Sequence, residues 1–146
     1  MSDRTLTFIK PEAVDVGNAG KIISIIESAG FKIIGSKMIR MNLKTAREFY
    51  KVHQGKEFYE GLTEYASSGP IFILCLEKDN AVEDLRKLIG ATDPEKAAEG
   101  TIRKLFGKTI RRNGIHASDS NENAEKEIAF FFSKFELLQS SSHDIH

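Results

Sequence analysis

Residues Thr5-Leu6-Thr7-Phe8-Ile9 alternate polar and apolar until Pro11 interrupts them, which predicts a strand of about five residues. Ala19, Ile22, Ile23, Ile26 and Ala29 then recur at helical spacing, with Gly20 near the start and Gly30 just past the end. Phe31 to Arg40 reads as a second strand, and Asn42 caps a second helix whose Leu43, Ala46 and Tyr50 share a face. Phe58 to Tyr65 adds a short helix before the turn Ser67-Ser68-Gly69-Pro70, which opens a third strand over Ile71 to Leu76. Asn80 with Glu83 three residues later has the form of a capping box, and Val82, Leu85 and Ile89 line the helix that Gly90 ends. Between Ala91 and Gly100 the periodicity fails, as in a polar surface loop. Thr101 to Phe106 predicts one or two helical turns and Ile110 to Ala117 a weak fourth strand. Ala124, Ile128 and Phe131 mark a final amphipathic helix.

This order predicts an α+β split βαβ sandwich, with helices on one face of a four-stranded, mainly antiparallel sheet. A chain of 146 residues suits one domain, read here as residues 1–139 with a frayed tail over 140–146. Hydrophobic residues make up 40%, and at this length roughly two thirds of the surface of the unfolded chain can be buried, so no disulfide staple is needed. The lone Cys75 lies in the apolar run Ile71 to Leu76 and reads as a small buried thiol. Lys and Arg together number 21, as do Asp and Glu, so no global field gathers polyanions, and a nucleic-acid coat protein is disfavoured. Without a signal-like apolar core near Met1 or an apolar run of the roughly 18 residues a membrane span requires, the expectation is a cytoplasmic protein that does not insert in membranes.

Imidazole combines nucleophilicity with a pKa near neutrality, which directs attention to the four histidines. His116 falls in Asn113-Gly114-Ile115-His116-Ala117-Ser118-Asp119-Ser120, where a weak strand meets a polar helix entry. Ser120, Asn123 and Glu127 follow at spacings of three and four, so a carboxylate on that stripe can reach back to orient the ring. Taken alone, the segment fits a surface histidine beside a capped helix, with Glu127 merely solvated, better than it fits a site. His53 shows no partner pattern, and His143 and His146 lie in the tail.

Lys10 beside Pro11, Arg86 on the third long helix and Arg103 after Gly100-Thr101-Ile102 are each suited to hold phosphate oxygens, although solvated surface charge is the commoner role for such residues. The basic stretch Arg103, Lys104, Lys108, Arg111 and Arg112 fits a charged surface or, alternatively, polynucleotide contact, which the acidic Asp93, Glu95 and Glu99 disfavour. Neither GxxxxGK[ST] nor GxGxxG occurs, so phosphates fall to side chains rather than to a glycine cradle. No Cys/His cluster has zinc spacing, and a divalent ion arriving on substrate phosphates, as magnesium does, is the natural alternative.

Several segments taken in order resemble nucleoside diphosphate kinases. They are Ile9-Lys10-Pro11-Glu12-Ala13-Val14, Phe49-Tyr50, Phe58, Gly61-Leu62, Ser68-Gly69-Pro70, Gly90-Ala91-Thr92-Asp93-Pro94, Gly100-Thr101-Ile102-Arg103 and Asn113 through Ser120. The similarity spans about residues 4 to 138. The resemblance implies a ferredoxin-like fold and reversible transfer of a terminal phosphoryl group from a nucleoside triphosphate to a nucleoside diphosphate through a phosphohistidine, with Mg2+ carried on the nucleotide. It implies His116 as the nucleophile through Nδ1, with Glu127 and Ser118 holding the imidazole. Lys10, Tyr50, Arg86, Thr92, Arg103 and Asn113 would bind phosphate and ribose, Phe58 would stack on the base, and Leu62 would line the nucleotide site. A homo-oligomer, hexamer or tetramer, is implied as well, with Pro94 in a segment used between subunits. Ping-pong kinetics and weak base discrimination follow from such chemistry. A non-enzymatic nucleotide-binding module on the same fold is the alternative.

Four segments depart from the usual family pattern. Ala117 stands where glycine commonly follows the nucleophile, and Gly114 replaces a bulkier apolar residue, which would loosen the strand. Lys56-Glu57-Phe58 lacks the Arg-Pro that often precedes the aromatic, and Glu12-Ala13 differs from the commoner Asp-Gly or Asp-Ala.

Overall fold

A computed structural model describes residues 3–138. The tail expected at 140–146 lies outside the described residues. Strands β1 (Asp3–Ile9), β2 (Lys32–Ile39), β3 (Ile71–Lys78) and β4 (Ile115–Ala117) form one sheet in the order β2-β3-β1-β4, with every neighbouring pair antiparallel. The helices are α1 (Pro11–Asp15), α2 (Ala19–Ser28), α3 (Leu43–Phe49), α4 (Tyr59–Ala66), α5 (Ala81–Ile89), α6 (Ile102–Phe106) and α7 (Asn121–Phe131).

The central strands β1 and β3 are buried on both faces, and this corrects the expectation of helices on one face only. From one face Leu6, Phe8, Ile71, Ile73 and Cys75 meet Ala46 of α3, Ala66 of α4, and Ile128 and Phe131 of α7. From the other, Ile9, Leu74 and Leu76 meet Ile22 and Ile26 of α2 and Leu85 and Ile89 of α5. The physical reason is legible in β3, whose unbroken apolar run has no polar side to offer to water.

Local chemistry accounts for most boundaries. The Asn42 side chain accepts from Thr45 N at 2.8 Å, the predicted cap of α3, and Ser120 does the same for Asn123 N at 3.1 Å at the start of α7. Asn80 differs from its predicted role: it adopts φ 56°, ψ 40° and its side chain caps nothing, donating instead to Asp84 Oδ1 at 3.3 Å. Asparagine tolerates this left-handed backbone better than most residues do, so the position is a tight turn from β3 into α5. The fourth strand is shorter than predicted, because the chain over 108–112 bends back on itself through Lys108 N to Arg112 O. Helix α1, not foreseen, begins at Pro11, whose missing N–H costs nothing at a first helical position.

Gly114 takes φ +91° at the entry to β4, while its carbonyl accepts from Lys10 N at 2.9 Å and prolongs the β1–β4 ladder. Rather than loosening the strand, glycine here fits a backbone that side chains rarely adopt. A Cβ would find nothing nearer than 3.9 Å, so backbone conformation alone opposes it. Gly114→Val is expected to destabilise the protein by about 1–2 kcal/mol in urea unfolding, and a loss below about 0.5 kcal/mol would show that the strand relaxes freely. Ala117 carries no such strain, since Asn80 is the one non-glycine at positive φ among the described residues.

Candidate active site

Three elements converge at the β4 edge of the sheet. Strand β4 carries His116, opposite Phe8 in register, and the imidazole stacks on the Phe8 ring at 4.7 Å between centroids. Phe49, at the end of α3, closes a second side edge-on at 5.4 Å. Helix α7, started by Ser120, brings Glu127 to the third side, and its Oε1 lies 2.8 Å from His116 Nε2. The same oxygen accepts from Ser118 Oγ at 2.7 Å, and Ser118 is buried behind the ring. A carboxylate accepts only, so Nε2 carries a proton, and in the neutral ring the lone pair is then on Nδ1. Nδ1 has no hydrogen-bond partner among the described residues.

The ring borders a cleft of about 1250 Å³ that also takes in Lys10, Tyr50, Phe58, Leu62, Arg86, Thr92, Arg103, Asn113 and Glu127. Every predicted site residue except the buried Ser118 therefore lines one cavity, although they come from segments about 120 residues apart along the chain. Lys10 lies between the end of β1 and Pro11, which opens α1. Its Nζ donates to Asn113 Oδ1 at 2.8 Å and to Arg111 O at 3.3 Å, while Asn113 Nδ2 donates to Thr92 O at 3.0 Å. The Arg103 guanidinium is held by Gly90 O at 3.1 Å and Ile115 O at 2.9 Å.

Burial and mutual repulsion make these cations costly to keep charged without an anion. Desolvation, with Arg103 nearby, pulls Lys10 down to about 7 against a weaker upward pull from Glu12. Desolvation and then the Arg86 charge lower Arg103 to about 10. Burial, helped by Glu127, pushes the Tyr50 hydroxyl well above its ordinary range, so it stays a neutral donor. Carbonyl and amide oxygens hold the cations in place without neutralising them, an arrangement prepared for a polyanion.

Some cleft residues were not singled out from sequence. Phe49 belongs to a recognised segment yet had no role assigned. His53, thought to lack a partner, lies 5.2 Å from the Phe58 ring and 6.3 Å from that of Tyr50. The 3₁₀ turn Lys51–His53 after α3 carries it there, and the i, i+3 spacing from Tyr50 was the available signal. The basic stretch is divided by the fold: Arg103 and Arg111 face the cleft, Arg112 lies over the Tyr65 ring at 5.0 Å, and Lys104 reaches Glu95 O at 3.4 Å. Tyr65 in turn donates to Glu12, which ties α1 to α4.

Among the described residues no group of three or more His, Cys, Asp or Glu side chains could hold a metal, and no helix is long and apolar enough to cross a membrane. A bare imidazole nitrogen beside poised cations, on a ferredoxin-like split βαβ sheet, defines a phosphoryl-transfer protein that works through a covalent phosphohistidine.

The family model described as nucleoside diphosphate kinase matches residues 3–137. A nucleoside diphosphate kinase of Chlamydia felis is 46% identical over 138 residues, covering 94% of this chain and 98% of that protein. The crystal structure of the Aquifex aeolicus nucleoside diphosphate kinase superposes with a TM-score of 0.92 at 42% identity, covering 94% of this chain and all of the other. A halophilic nucleoside diphosphate kinase from Halobacterium salinarum, solved in complex with CDP, also gives 0.92, at 38% identity over 97% of this chain and 95% of that one. The chain belongs to the nucleoside diphosphate kinase family. Its activity is the reversible transfer of the terminal phosphoryl group from a nucleoside triphosphate to a nucleoside diphosphate by a ping-pong route through a phosphohistidine.

Proposed function

We propose that His116 is the residue phosphorylated in this exchange, and that its free Nδ1 between Phe8, Phe49 and Glu127 carries the assignment. In the first half-reaction the Nδ1 lone pair forms a bond to the γ-phosphorus as the bond to the β–γ bridging oxygen breaks, and the diphosphate leaves with that electron pair. In the second, a terminal β-oxygen of the acceptor diphosphate forms a bond to the phosphorus and the nitrogen departs. Glu127 holds the Nε2 proton throughout, which fixes the tautomer and stabilises the positive charge that the ring acquires on phosphorylation. Ser118 holds Glu127.

Lys10, Arg86 and Arg103 hold phosphate oxygens and take up the charge spread over the transferring group, Asn113 and Thr92 set the position of Lys10, and Tyr50 lines the same cleft with a neutral hydroxyl able to donate. Phe58, 44% exposed at the cleft mouth, offers its face to the base, with Leu62 beside it. The CDP held by the Halobacterium salinarum relative fits a ligand of this kind. Mg2+ carried on the phosphates would supply charge neutralisation there; among the described residues the cleft has cations but no group of three carboxylates placed to hold an ion, which suits a metal brought by substrate. A cytoplasmic homo-oligomer, hexamer or tetramer, completes this reading, and light scattering would give the assembly.

Incubation with γ-labelled ATP and Mg2+ is expected to leave one acid-labile, base-stable label on the peptide containing His116. Label confined to any other peptide would overturn the assignment.

A further inference from the structure

Arg111 belongs to the cleft lining, yet no step of phosphoryl transfer uses its side chain. Its backbone does: Arg111 O accepts from Lys10 Nζ at 3.3 Å, which ties that peptide unit to the phosphate end. The side chain runs the other way, onto α4. A Cβ built on Gly61 would meet Arg111 Nη1 and Nη2 at 2.5 Å and Cζ at 2.6 Å, so the guanidinium lies flat against a helix turn that has room for it only because residue 61 is glycine. Phe58 and Leu62, the aromatic platform and its apolar neighbour, flank that turn and border the same cleft. Arg111 is exposed, and among the described residues its guanidinium has neither a carboxylate nor a hydrogen-bond acceptor. Its neighbour Arg112, by contrast, is stacked on Tyr65.

We propose that Arg111 is a base-reading residue, donating from its seat on Gly61 to a carbonyl oxygen on the edge of the base stacked at Phe58. The inference rests on the assignment of this cleft to the nucleotide. Stacking on Phe58 alone treats all bases nearly alike, because each has a π-face. A guanidinium is different: it has donors and no acceptor, so it discriminates by what the base edge presents. Guanine offers O6 and N7, both acceptors in a geometry that suits a guanidinium fork, whereas adenine replaces O6 with an amino group that is itself a donor. Uracil, thymine and cytosine each carry at least one ring carbonyl. The chain therefore favours oxo-bases over adenine, with guanine the sharpest contrast among purines of equal stacking area.

The phosphorylated enzyme should be mixed with GDP and with ADP in turn, and the ratio of the two second-order dephosphorylation rates measured. For the native chain that ratio is expected to be about tenfold in favour of GDP, the scale of one good charge-assisted hydrogen bond. It should fall to within about twofold of unity in Arg111→Ala. In Gly61→Ala the guanidinium stays but is pushed off its seat, and the ratio should fall in the same direction. IDP, which keeps O6 and N7 but lacks the 2-amino group, should behave as GDP does. A ratio that is the same in the native chain and in Arg111→Ala overturns the inference while leaving phosphoryl transfer intact. IDP behaving as ADP does would also overturn it. Failure to dephosphorylate with any diphosphate would instead strike at the assignment of the cleft.

Discussion

His116→Ala is expected to lower phosphoryl exchange by roughly four orders of magnitude or more, the scale on which removing an attacking group acts, and to abolish the acid-labile label. Nothing else in the cleft can replace the lost nitrogen. His53 is the nearest imidazole in kind, but its Nδ1 is 3.3 Å from Lys56 Nζ, and it sits beside Phe58 at the base end. Burial and the Lys56 charge also hold its pKa below the ordinary value. The substitution leaves the cations, and hence nucleotide affinity, largely in place, so the loss should appear in kcat while the nucleotide still binds. Folding should survive, because Glu127 keeps the hydroxyl of Ser118 at 2.7 Å and is not stranded. Retention of exchange within about tenfold of the native rate, in a folded variant, would sink the role assigned to His116.

Lys10→Met should separate activity from stability. Removing one charge-assisted phosphate contact, worth about 1.5–3 kcal/mol, predicts a fall in kcat/KM of roughly 10- to 150-fold. The stability effect has its own signature in pH. In the folded protein Lys10 titrates near 7, against an ordinary 10.5, so between these values the unfolded chain binds more protons than the native one. Stability of the nucleotide-free protein therefore rises with pH through this window, and the cost of burying the ammonium is full only below about pH 7. The slope approaches about 1.4 kcal/mol per pH unit per proton. Urea unfolding between pH 7 and 9 should show the native protein gaining stability relative to Lys10→Met, whose absolute stability also reflects the unfilled acceptors on Asn113 and Arg111. The Cys75 thiol, which burial pushes from 9.0 up to about 11, acts with the opposite sign from about pH 9 upward and does so equally in both proteins, so it cancels in the comparison. Nucleotide binding at pH 8 should take up a proton, seen as a heat that changes with the ionisation enthalpy of the buffer. Parallel stability profiles for the two proteins would mean that Lys10 stays charged without nucleotide.

Much of this arrangement was legible before the fold was known, and the rest was not, for identifiable reasons. Long periodic segments such as Ala19–Ser28 and Ile71–Lys78 declare themselves, because a helix face or a fully buried strand needs many apolar residues in a fixed rhythm. The five residues of α1 are too few to show any rhythm, and the three of β4 show only a weak strand signal that does not fix where the strand begins. Asn80 looked like a cap because its residue type and spacing suit one, but a left-handed turn places its amide elsewhere. The site residues were legible through their ordered resemblance to a family, whereas the reach of Arg111 into the same cleft had no local signal, and that of His53 only its spacing of three from Tyr50.

By itself the sequence determined that this chain builds a split βαβ sheet and carries an imidazole, a helical carboxylate and three cations, since these depend on residue type and short-range spacing. Only the tertiary structure decided that helices cover both faces, that Glu127 takes Nε2 and leaves Nδ1 bare, and that the guanidinium of Arg111 rests on Gly61. Those are distances between groups far apart along the chain, and they arise from packing and burial, which no short window of sequence contains.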